Sequence, residues 1–225
     1  MNWTLANQVT VGRIFMSAAF FGVLGAYQPG GMCEHALLGT AFVLYVLAGL
    51  SDILDGYLAR SRNEVSAFGR IADPIVDKVL VVGAFAMLAG PDFVLRVPPE
   101  QIPGGVPPWL VGQMASAVRP WMVVVILARE FIVSALRGFS ETMGKPFPAT
   151  PLGKLKMFSQ SIAIGAILFT GAWLPETAWN WWVLALSVWA CVLMTVLSGV
   201  VYVYHARHLL ADRDDEPPPR AGEDT

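Results

Sequence analysis

Leu50-Ser51-Asp52-Ile53-Leu54-Asp55-Gly56-Tyr57-Leu58-Ala59-Arg60 and, after eight intervening residues, Gly69-Arg70-Ile71-Ala72-Asp73-Pro74-Ile75-Val76-Asp77 set four aspartates inside segments that otherwise read as membrane-spanning. A carboxylate at bilayer depth costs several kcal/mol unless it is paired, hydrated or bound to a cation. Four together need a chemical reason. Hard oxygen donors suit Mg²⁺ or Mn²⁺, and a bound cation cancels clustered negative charge.

The spacing supports that reading. Residues three and four apart share a helix face, so Asp52 and Asp55 converge, as do Gly69, Asp73 and Asp77. A short connection between the two segments lets these faces meet across an antiparallel helix pair, where four carboxylates can hold one or two divalent ions. Gly56 and Gly69 remove side-chain bulk where a ligand or a neighbouring backbone must come close. Arg60, one turn after Gly56, can reach a phosphate with its planar fork. The plainer alternative is an interfacial polar loop balanced by Arg60, Arg62, Arg70 and Lys78. It suits any one aspartate, but not four at this spacing with both glycines.

Outward from this stretch the chain is strongly apolar. Of its 225 residues 55% are hydrophobic and 14% charged, which takes it out of the ordinary soluble range. Hydropathy predicts an all-α integral membrane bundle of about six spans, at 9–27, 36–58, 68–90, 115–137, 154–173 and 180–204. The stretch 98–108 is rich in proline and glycine and reads as a loop. One catalytic domain is expected over 1–208, and a polar, proline-rich tail over 209–225 that is expected to be disordered. Cys33 and Cys191 read as unpaired thiols. Net charge near zero argues against a nucleic-acid partner. The N-terminus has neither the basic start nor the small-residue cleavage site of a signal peptide, so the first span is expected to be retained.

Basic residues set the orientation. Arg60, Arg62 and Arg70, then Arg137, Lys145, Lys154 and Lys156, then Arg207 and Arg213 fall on one side, with little beyond Arg96 and Arg119 on the other. Positive residues stay cytoplasmic, so both termini and the aspartates are expected there. Trp173, Trp179, Trp181 and Trp182 then read as an aromatic belt at the outer interface.

The aspartate pattern resembles that of the CDP-alcohol phosphotransferases, integral membrane enzymes of phospholipid synthesis, and it matches at every defining position. The resemblance implies six helices around a polar cavity facing the cytoplasm, in a bacterial inner membrane, and a homodimer. It implies replacement of CMP on a CDP-linked lipid or alcohol by an acceptor hydroxyl. By position, Asp52, Asp55, Asp73 and Asp77 would bind two ions, Mg²⁺ or Mn²⁺, and Asp77 would also be the catalytic base. Donor contacts would come from Gly56, Ala59, Arg60, Ser66 and Gly69, together with Asn7 and Thr10 of the opening helix.

A second segment bears on the acceptor: Ala128-Arg129-Glu130-Phe131-Ile132-Val133-Ser134-Ala135-Leu136-Arg137, then Gly153-Lys154-Leu155-Lys156. Arg129 and Arg137 are eight residues apart, about two helical turns, so they roughly share a face. With Lys154 they make a basic pocket for an acceptor phosphate. Lys145 reads as flanking charge, and Lys156 stands between that and a place in the pocket. Arg129 and Glu130 are helix neighbours that point apart, so each needs its own partner. Lys78 is expected to snorkel to the interface.

This segment and the opening Asn7-x2-Thr10-x2-Arg13 resemble the phosphatidylglycerophosphate synthase branch of that family. That branch joins CDP-diacylglycerol to sn-glycerol 3-phosphate. The prolines often found before that asparagine and late in the first helix are absent here, and the loop 91–108 is long for the branch. Inositol phosphate, or phosphatidylglycerol as in a cardiolipin synthase, are the alternative acceptors. A divalent-cation transporter is the rival from another class. It should spread acids along several helices at mid-membrane, whereas these cluster toward the cytoplasmic ends of two.

Overall fold

The computed structural model describes residues 5–62, 67–95, 106–142, 151–175 and 177–214. Its helices are α1 (Leu5–Gly25), α2 (Glu34–Arg62), α3 (Ala67–Leu88), α4 (Pro108–Val111), α5 (Pro120–Thr142), α6 (Pro151–Trp173) and α7 (Ala178–Asp214). Among the described residues there is no strand, only an isolated bridge between Val94 and Met114. Proline opens α4, α5 and α6, where its missing N–H leaves no helical bond unmade. Glu34 in the first turn of α2 suits the positive end of the helix dipole.

Among the described residues six long helices overlap the six predicted apolar runs. Among the described residues four are long and apolar enough to cross a bilayer: Gln8–Gly25, Glu34–Leu54, Pro151–Trp173 and Ala178–His205. The expected count of six is not reached on composition alone. Any 18-residue window of α5 includes Arg129, Glu130 and Arg137, more charge than such a span carries. α3 bears Asp73, Asp77 and Lys78. The charged residues that keep α3 and α5 out of that set belong to the candidate site.

α1 packs chiefly on α2 and also on α3; α6 packs on α7 and α2; α5 packs on α7, and α3 meets α5 and α6 more lightly. Phe20, Phe85, Leu88, Met122, Ile126, Ile164 and Leu168 fill the centre with almost no exposure. The outside is apolar as well. Phe15, Ile53, Phe131, Phe158 and Trp179 are each 67% exposed or more, as side chains that face lipid would be.

The far end departs from expectation in two places. α5 starts at Pro120, later than the predicted span, because Met114–Arg119 forms a turn in which buried Ala117 takes φ 59°. Ser116 closes that turn by donating to the Leu88 carbonyl at 2.6 Å. Trp173 and Trp179 are exposed as an interfacial belt requires, but Trp181 is 6% exposed and packs into the core. At the other end α7 runs on to Asp214, past the boundary expected at 208. Cys33 and Cys191 are both free thiols.

Candidate functional site

Three helices meet at one guanidinium. Arg13 of α1 is 1% exposed and forms ion pairs with Asp52 of α2 and, at 2.5 Å, with Asp73 of α3. Thr10, one turn earlier on α1, donates its hydroxyl to the same Asp73 oxygen at 3.1 Å. The cost of burying a charged side chain in an apolar helix is met here by two carboxylates converging from neighbouring helices. Asp52 and Asp73 remain 42% and 38% exposed at their side chains, so the pair still opens to one side.

The chemistry of these donors fits a divalent cation, since hard carboxylate oxygens on facing helices already gather around one positive group. Among the described residues no three His, Cys, Asp or Glu side chains come together as a metal centre. The side chains of Asp55, Asn7, Gly56, Ala59, Arg60 and Gly69, and all of Ser66, lie outside the described residues. The backbone places Gly56, Ala59 and Arg60 in the last turns of α2 and Gly69 in the first turn of α3.

A second group forms around Asp77. It lines a cavity of about 30 Å³ with Lys78, Glu130, Lys156, Gln160 and Ser161. Glu130 and Lys156 are buried and ion-paired across α5 and α6, and Arg129 approaches the same Glu130 oxygen at 3.2 Å. Lys78 does not snorkel outward. It turns into the bundle and donates to Ser134 at 2.6 Å, because that hydroxyl of α5 lies within reach of α3.

The basic residues of α5 and α6 fall into two groups. Arg129 donates to Ser198 at 3.2 Å and lies 5.5 Å over the Tyr202 ring. Arg137, exposed, donates to the Tyr202 hydroxyl at 3.4 Å, so both arginines gather on α7 as their shared face predicts. Gly199 permits this approach, since a Cβ there would lie 3.2 Å from Arg129 Cγ. Of the two lysines, Lys156 is buried beside Asp77, whereas Lys154 is exposed.

Glu130 as partner of Lys156, Arg13 as the bridge, and Gln160 were not singled out by pattern. Each is a polar residue inside an apolar run, and that was the available signal. A larger cavity of about 360 Å³ opens at the opposite end, lined in part by Tyr27, His35, Phe93 and Trp181 and by none of the aspartates singled out above.

With this geometry in view, the sequence match is specific. The profile of the CDP-alcohol phosphatidyltransferase family covers residues 3–197, and the chain belongs to that family. Among its relatives, the CDP-diacylglycerol–glycerol-3-phosphate 3-phosphatidyltransferase of Bacillus subtilis is 32% identical over 89% of this chain and 93% of its own length. Enzymes of the same name from Rickettsia typhi and Cereibacter sphaeroides are 33% and 34% identical, over 88% and 78% of this chain and 94% and 67% of theirs.

Proposed function

We propose that the protein transfers the phosphatidyl group of CDP-diacylglycerol to sn-glycerol 3-phosphate, giving phosphatidylglycerophosphate and CMP. One observation carries the reading. Lys78 and Lys156 line the cavity that holds Asp77, and Arg129 reaches the Glu130 that pairs with Lys156, so an acceptor bearing its own phosphate meets cationic groups near the reacting carboxylate. The names of the relatives and the family membership support it.

The acceptor's free primary hydroxyl attacks the β-phosphorus of the donor. The new oxygen–phosphorus bond forms as the bond to CMP breaks, and the hydroxyl proton passes to Asp77. Asp52, Asp55, Asp73 and Asp77 would hold two divalent ions, Mg²⁺ or Mn²⁺. When bound, such ions neutralise the pyrophosphate and stabilise departing CMP. Asn7, Thr10, Gly56, Ala59, Arg60, Ser66 and Gly69 contact the CDP portion, and Arg129, Arg137 and Lys154 serve the acceptor phosphate. The reaction belongs to one domain, 1–208. It takes place on the cytoplasmic side of the inner membrane, in a homodimer.

A membrane-extract assay with CDP-diacylglycerol and each labelled acceptor tests this. CMP release with glycerol 3-phosphate, abolished by a chelator and restored by Mg²⁺ or Mn²⁺, is the expected result. Turnover with inositol phosphate or phosphatidylglycerol but not glycerol 3-phosphate sinks the acceptor assignment. Chelator-resistant release sinks the metal assignment.

The arginines give a finer check. Arg137→Ala should raise the acceptor KM about tenfold and leave the donor KM nearly unchanged, as loss of one charge-assisted contact predicts. Equal effects on both substrates would mean the phosphate does not sit there.

A further inference from the structure

We propose that Gln160 reads the secondary hydroxyl of the acceptor and so sets which phosphorylated polyol the site accepts. The inference deepens the proposed reaction and rests on it. Gln160 follows Lys156 by one turn of α6, so the two share the helix face that meets Asp77. The other polar groups around the cavity already have work. Lys156 is ion-paired to Glu130, and Lys78 donates to Ser134 at 2.6 Å. Gln160 is different: it is 1% exposed, and its Nε2 is buried with no hydrogen-bond partner among the described residues. A buried donor left unmade is costly, and native proteins keep such a group where something else completes it.

The cavity says what that something is. At about 30 Å³ it has room for a small polar group on the scale of a water molecule. Its walls offer the amide donor of Gln160 and the carboxylates of Asp77 and Glu130, while Lys78 and Lys156 are held by Ser134 and Glu130. A hydroxyl accepts from the first and donates to the second. The acceptor's phosphate is matched instead by Arg129 and Arg137, which gather at Tyr202. A three-carbon phosphate anchored there can present its primary hydroxyl to the donor and its secondary hydroxyl to Gln160.

The test compares kcat/KM for sn-glycerol 3-phosphate with that for 1,3-propanediol monophosphate, which lacks only the secondary hydroxyl, using the full-length protein in lipid–detergent micelles. The wild type should favour glycerol 3-phosphate by about 10- to 100-fold, because the analogue leaves the buried amide unpaired. Gln160→Met should bring the ratio close to one, chiefly by lowering the glycerol 3-phosphate value. Gln160→Asn, one carbon shorter and still polar, should lower the ratio too and serves if the Met variant does not fold.

A wild-type ratio near one overturns the inference without needing any variant. So does an unchanged ratio in Gln160→Met with both acceptors slowed together, since a merely structural role has that effect. Those failures leave the proposed reaction standing. A wild type that turns over neither acceptor overturns the reaction and this inference with it.

Discussion

Asp77→Asn abolishes turnover, by at least about 10³-fold in kcat, while the protein still folds and inserts. The substitution keeps the side chain's size but removes its capacity to take a proton, and it weakens a hard oxygen donor at the same time. Asp77 lies where both roles are possible, four residues after Asp73 on α3 and in the cavity that Lys78 and Lys156 also line. The measurement is CMP release by membranes containing matched amounts of wild-type and variant protein, with circular dichroism of the purified variant as the folding control. Residual activity within about tenfold of wild type would remove Asp77 from the role of base, since general bases contribute more than that.

Lys156→Met should be the most destabilising change at the site. It leaves Glu130 buried on α5 with only Arg129, at 3.2 Å, to balance it. Breaking a buried pair from one side costs about 3 kcal/mol, because the remaining charge has lost its compensation. Lys154→Met, two residues away and exposed, should shift stability by no more than about 0.5 kcal/mol. Thermal unfolding in one detergent compares the two directly. Removing both charges, Lys156→Met with Glu130→Gln, should recover part of the loss, since uncharged partners leave no uncompensated charge. Equal melting temperatures for the two lysine variants would contradict the buried pair.

The contrast between Lys154 and Lys156 shows where sequence reading stops. The long helices were legible because twenty-residue apolar runs have few other uses. The aspartates were legible because their spacing repeats a helix face. Which of two nearby lysines turns inward depends on Glu130, a residue on another helix that no local pattern connects to it. Arg13 looks from the sequence like one residue of an opening motif, and only the packing of α1 against both α2 and α3 makes it the meeting point of two carboxylates. The late start of α5 escaped for a different reason. The residues before Pro120 are apolar enough to pass for span, and the positive φ at Ala117 has no signature in an alanine. Lys78 fails the snorkelling expectation because Ser134 offers a nearer partner than the interface does.

The Arg13 bridge also has a mechanical consequence. A guanidinium shared by Asp52 and Asp73 works as a key between three helices, because sliding or rotating α1 would strand a cation and two anions together. α1, α2 and α3 are therefore tied together at a single buried group. The lighter contacts run along the seam between α3 and the pair α5–α6, the seam that holds Asp77 and Gln160.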